Sequence, residues 1–117
     1  MSLGGSLKII GAGAIFRATG TDGAGYALLE AFSGDDEQEK MLAGISIVKA
    51  GEKSIDLIER ARATGRLTPA VVRLLADIGG PRSRALLSRI ARDGGAVAEP
   101  ALQSLELLDE IETFEDD

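Results

Sequence analysis

Aliphatic residues recur along this chain in the i, i+1, i+4 stripe of an amphipathic helix, and the stripe returns at a fixed step. Leu28 with Leu29, Leu57 with Ile58 and Leu86 with Leu87 follow one another at intervals of 29 residues. Four positions after the first member of each pair stand Phe32, Ala61 and Ile90. Any leucine-rich helix shows the local stripe; the constant step is what marks a repeated unit. Breaks fall at matching places. Gly20 to Gly23, Gly51 with Glu52, and Gly79-Gly80-Pro81 precede the paired segments, while Gly34-Asp35, Gly65 to Pro69 and Gly94-Gly95 follow them. Glycine beyond a helix end supplies the left-handed residue that closes it, and proline in a first turn forfeits no amide partner.

Between the breaks the pattern predicts helices over residues 4–19, 24–33, 36–50, 53–64, 69–78, 82–93 and 98–112. Asp36 with Glu39 has capping-box spacing, and Thr68 before Pro69 is a good N-cap. In the third helix Met41, Ile45 and Val48 read as one face with Ile47 off it, so the helix is apolar on more than one side, as an inner helix of a stack requires. In the fifth, Val71, Leu74, Leu75 and Ile78 form the stripe, with Val72 beside it. The expectation is an all-α chain of about three and a half helical hairpins, each unable to bury its apolar face alone and therefore stacked on its neighbours. It is read as one domain over residues 1–117, with the acidic residues 113–117 as a frayed tail.

Two segments carry a resemblance to a known family. KMLAGISIVKAGEKSIDLIE, within Gln38 to Glu59, and TPAVVRLLADIGGPRSRALLSR, from Thr68 to Arg89, resemble short HEAT-like repeats, the kind also seen in phycobilisome lyase subunits. The likeness is one of pattern and covers roughly residues 20–112. It implies a right-handed α-α superhelix whose second helices line a concave binding surface. The chain departs from the family in a glycine-rich first hairpin and in a last repeat with a single clear helix.

Composition narrows the chemistry. The chain has 117 residues, 44% of them hydrophobic, enough for a modest core. It has no cysteine and no histidine, which excludes a disulfide framework, a thiolate zinc site, a thiol nucleophile and the usual general base. Aromatic residues are 3% of the chain, too few for base-stacking platforms. Ser46, Ser54, Ser83, Ser88 and Ser104 have no histidine to activate them, and Asp35 to Glu39 sit where a helix start favours negative charge. Lys8 to Phe16 looks like the glycine turn of a dinucleotide site, yet the helix that should follow is too short and no strand and helix alternation continues. No enzyme, cofactor or metal site is expected. Leu7 to Ala18 is interrupted by Lys8 and Arg17 and is shorter than the roughly 20 residues that span a bilayer, so the expectation is a cytoplasmic protein with no membrane contact.

The charge layout is less bland than the net −6. Lys53 to Arg92 carries nine bases and three acids, whereas Asp93 to Asp117 carries nine acids and no base. Lys53 and Arg82 are 29 residues apart, as are Arg60 and Arg89, so equivalent positions of adjacent repeats hold the same charge. Within each helix the two cations are seven apart, two turns on one face. Lys53, Arg60, Arg82 and Arg89 are therefore the candidate partner-binding residues, the forked guanidinium groups of the three arginines being suited to carboxylate or phosphate. The function read from this is a non-enzymatic protein-interaction scaffold that takes an acidic segment of a partner. Three alternatives stay open: nucleic acid on the same basic face, against which the acidic balance weighs; an enzyme or lyase accessory subunit, which the phycobilisome-lyase resemblance implies; and docking of the basic middle on the acidic C-terminal end, of another copy or of its own chain folded back. A solvated arginine face with local pairs such as Asp56 to Arg60 is the plainer reading of the same residues.

Overall fold

The computed structural model describes residues 3–115, and these are helical almost throughout, with no strand among them. The helices are α1 (Leu3–Thr19), α2 (Asp22–Phe32), α3 (Glu37–Ala50), α4 (Glu52–Ala63), α5 (Pro69–Ile78), α6 (Gly80–Asp93) and α7 (Ala98–Glu115). The all-α expectation holds, with ends displaced by a residue or two. The largest difference is at α7, which continues to Glu115 where the pattern ended at residue 112; Asp116 and Asp117 of the expected tail lie outside the described residues.

Local chemistry explains the starts and stops. The Asp36 carboxylate accepts the amide hydrogens of Gln38 and Glu39, both at 3.0 Å, so two of the orphan donors that open α3 are satisfied. Thr68 Oγ1 accepts from the Val71 amide at 3.3 Å ahead of Pro69. Gly51 and Gly79 each form the single-residue joint between two helices, with φ of 59° and 71°, where a side chain would strain the backbone. The glycine stretch Lys8 to Phe16 lies wholly inside α1, so no strand and turn form there.

The residues group into two compact units whose division falls between Leu57 and Ile58, inside α4. In the first unit α1, α2 and α3 pack pairwise on one another. A Cβ on Gly5 would lie 2.6 Å from Glu39 Oε1, and one on Gly13 would lie 2.6 Å from Ser46 Oγ. These two contacts advance together along both helices, so α1 and α3 run side by side in the same direction and α2 is the return. Ile9, Phe16, Leu28, Ala43, Ile47, Ile55 and Leu57 form the core of this unit. The Ser54 hydroxyl, fully buried, donates to the Ile47 carbonyl in the last turn of α3.

In the second unit α7 packs on both α5 and α6, and α5 on α6. Its core draws on Ile58, Ala61, Val71, Val72, Leu75, Leu87, Ile90, Ala101 and Leu108. Arg84 of α6 reaches α7, with Nη1 2.8 Å from Asp109 and Nη2 2.9 Å from Glu112.

All six residues of the repeated aliphatic pairs are buried, as are Ala61 and Ile90, while Phe32 is half-buried. The structure adds a position that volume had hidden. Gly25, Ser54 and Ser83, again 29 apart and three residues before each pair, are all buried. The third helix is turned differently from its expected face: Ile47 is fully buried with Ala43 and Gly44, whereas Met41 and Ile45 are exposed and Val48 half-buried. Small residues make the contacts there. Gly44 lies against the Phe32 ring and Ser46 against Gly13, so close approach rather than side-chain bulk sets the buried side. In α5, Val72 joins the core outright and Ile78 is half-buried.

Candidate functional site

Most basic residues of the second unit lie on the second half of α4 and on α6. Arg89 Nη1 donates to Glu59 Oε1 at 2.7 Å. The same oxygen is 3.5 Å from Arg62 Nη1, and Arg62 Nε donates to Asp93 Oδ2 at 2.8 Å. The result is a ladder of alternating sign, Arg89, Glu59, Arg62 and Asp93, laid across two helices. Its members are half-exposed, so each pair is screened by water and stabilises the fold modestly.

Electrostatics follows the geometry. The hydrogen bond from Arg62 holds the Asp93 carboxyl below the ordinary value of 3.8, the charges of Arg62, Arg92 and Arg89 add to the effect, and partial desolvation opposes it. The same bond raises the Arg62 guanidinium, and the hydrogen bonds that Arg84 donates to Glu112 and Asp109 raise Arg84. These cations stay charged at any accessible pH.

The four residues singled out from the sequence fall as follows. Arg60, Arg82 and Arg89 belong to the second unit: Arg60 is half-buried on α4, and Arg82 and Arg89 stand exposed two turns apart on α6. Lys53 is exposed at the start of α4, in the first unit, with its stem against Gly20. Sequence reasoning missed Glu59, Arg62 and Asp93. The signal is present in the sequence, because the cross-helix partners are separated by 30 and 31 residues, one or two positions beyond exact register.

A shallow cavity of about 240 Å³ opens beside the ladder, lined by Arg62, Leu67, Ile90, Asp93 and Val97. A second, of about 270 Å³, lies in the first unit among Lys8, Ile9, Ala27, Glu30 and Glu39. Among the described residues no three acidic side chains are grouped to hold a metal ion, and no helix is long and apolar enough to cross a membrane. The class defined by fold and surface is thus an all-helical protein with an arginine-rich, partly self-paired face. Comparison with protein families, with curated proteins and with solved structures finds no match.

Proposed function

We propose that this chain is a non-enzymatic interaction module of HEAT-like helical hairpins, stacked as a right-handed superhelix, that takes an acidic segment of a protein partner on its arginine-bearing face. Within the first unit, the same-direction packing of α1 and α3 with α2 as the return is the arrangement a stack of hairpins requires. One observation carries the binding assignment: Arg89 already grips a carboxylate, Glu59, at 2.7 Å while its own side chain remains 54% exposed. A guanidinium presents donors along two edges, so an incoming carboxylate can add to that pair or exchange with it. Arg82, two turns earlier on α6, and Arg60, beside Glu59 on α4, extend the same charge, and Lys53 holds the register position of Arg82 one repeat earlier.

The test is a titration of the full chain with a fluorescent glutamate-rich peptide, and separately with a single-stranded DNA of equal charge. The expected result is peptide binding that weakens at least about tenfold in Arg82→Glu/Arg89→Glu while the melting temperature moves by only a few degrees. Unchanged peptide binding in that variant sinks the reading. DNA bound in preference to peptide, with affinity falling steeply in salt, transfers the face to nucleic acid.

A further inference from the structure

Helix α1 carries aliphatic residues on every side and is buried along one. Ser6, Ile9, Gly13 and Phe16 form its buried stripe. On the other side Leu7, Ile10 and Ile15 are 61%, 54% and 54% exposed. Between them the surface is made by Gly11, Ala14 and Ala18, and it is edged by Lys8 and Arg17; the helix contains no acid. Leu7, Ile10, Ala14 and Arg17 follow i, i+3, i+7, i+10 and so share one stripe, with Lys8, Gly11 and Ile15 on the next. A helix of this composition is ordinarily enclosed, and contiguous exposed aliphatics of this size mark a contact surface.

Helix α7 has the opposite charge. It carries six acids and no base. Leu102, Leu107 and Ile111 are 47%, 45% and 41% exposed on it, with Glu99, Glu106 and Glu110 exposed around them. Asp109 and Glu112 of the same helix already engage Arg84, which shows that these carboxylates accept guanidinium partners.

We propose that the exposed face of α1 in one copy docks on the exposed face of α7 in a second copy of this chain. Apolar contact supplies adhesion, and Lys8 and Arg17 set against the α7 carboxylates supply orientation. Pairing α1 with α1 would place like charges together with no acid on the helix to answer them, and α7 with α7 is repelled more strongly. Because the two faces differ, each copy offers one of each to its neighbours. A face one helix wide falls short of the roughly 1,000 Å² typical of a stable interface, so the association is weak and develops with concentration. It involves neither α4 nor the arginines of α6 in the binding step, so its failure and that of the acidic-peptide reading are separate results.

Sedimentation velocity on the full chain over a concentration series at low salt tests it, with circular dichroism confirming that each variant is folded. The mass average is expected to rise with concentration and to fall as salt is added. Lys8→Glu/Arg17→Glu and Glu106→Lys/Glu110→Lys should each associate about tenfold more weakly, and an equimolar mixture of the two should recover wild-type association, because each reversed face then meets its complement. Ile10→Ser, which leaves charge untouched, should weaken association as well. A wild-type chain that stays monomeric throughout overturns the proposal, as does a mixture that fails to recover or an Ile10→Ser chain that associates normally. A monomer that instead sediments with anionic lipid vesicles assigns α1 to a membrane surface.

Discussion

Arg62 and Asp93 stand 31 residues apart in sequence and 2.8 Å apart in the fold, joining the last turn of α4 to the last residue of α6. The contact offsets an unfavourable position. A carboxylate at a helix C-terminus faces the negative end of the dipole, and Arg62 together with Arg92 of the same last turn counters that repulsion.

Acid sensitivity follows from this pair and from the α3 cap. Asp93 is held down by Arg62, and Asp36 by the Glu39 amide first and the Gln38 amide after it; both lie below the ordinary 3.8 in the folded chain. The unfolded chain therefore takes up protons first. The stabilisation is complete above the ordinary aspartate value and is lost as pH falls through it toward the lower folded values. Urea midpoints measured from neutral to acid pH should decline over that range, and Arg62→Gln should flatten part of the decline. Superimposable curves for the two proteins would remove the pair from the account.

Gly25 is held to hydrogen by its surroundings. A Cβ there would stand 2.8 Å from Leu57 Cδ1 and 2.9 Å from Phe16, both fully buried, so Gly25→Ala is expected to destabilise the fold by about 1–3 kcal/mol despite the gain in helix propensity. Gly11, with nothing within 4 Å of its would-be Cβ, isolates that gain: in dilute protein Gly11→Ala should stabilise by about 0.5–1 kcal/mol. Thermal denaturation of the two variants should therefore move in opposite directions.

Two serines at one register position should respond differently. Ser54 Oγ donates to the Ile47 carbonyl, so Ser54→Ala is expected to cost about 1–2 kcal/mol. Ser83 Oγ is buried with no hydrogen-bond partner, and Ser83→Ala, which removes an unsatisfied hydroxyl, should be neutral or stabilising by about 1 kcal/mol. Equal losses at both positions in denaturant titrations would contradict the difference.

Arg84 fastens α7 to α6 through Asp109 and Glu112. Replacing it with alanine should speed hydrogen exchange of α7 amides more than those of α5, and added salt should narrow the difference between variant and parent, because the pairs lie at the surface. Unchanged exchange along α7 would show that Leu108 and Ala101 hold the helix unaided.

How far the fold was legible can be traced residue by residue. The paired aliphatics Leu28 and Leu29, Leu57 and Ile58, Leu86 and Leu87 announced their burial because volume and period coincide in them. Gly25, Ser54 and Ser83 repeat at the same step, yet small residues carry no hydrophobic signal and their burial appears only in the packing, as where Leu57 and Phe16 press on Gly25. Met41 and Ile45 misled for the converse reason: they are large and suitably spaced, but the approach of Gly13 to Ser46 and of Phe32 to Gly44 turns α3 so that both face outward. At the candidate site Arg60, Arg82 and Arg89 were legible from register, whereas Glu59, Arg62 and Asp93 were not, since ion pairing depends on which rotamers reach across neighbouring helices.

The sequence by itself determined the helices, their joints and the period of the buried pairs, because caps, left-handed glycines and apolar spacing act within a few residues of chain. It also determined the sorting of charge into a basic middle and an acidic end. Tertiary structure decided the rotation of each helix, the closeness of α1 to α3, and which arginines are already matched by carboxylates. Those outcomes depend on contacts between residues tens of positions apart, where steric fit selects among faces that local patterning leaves nearly equivalent.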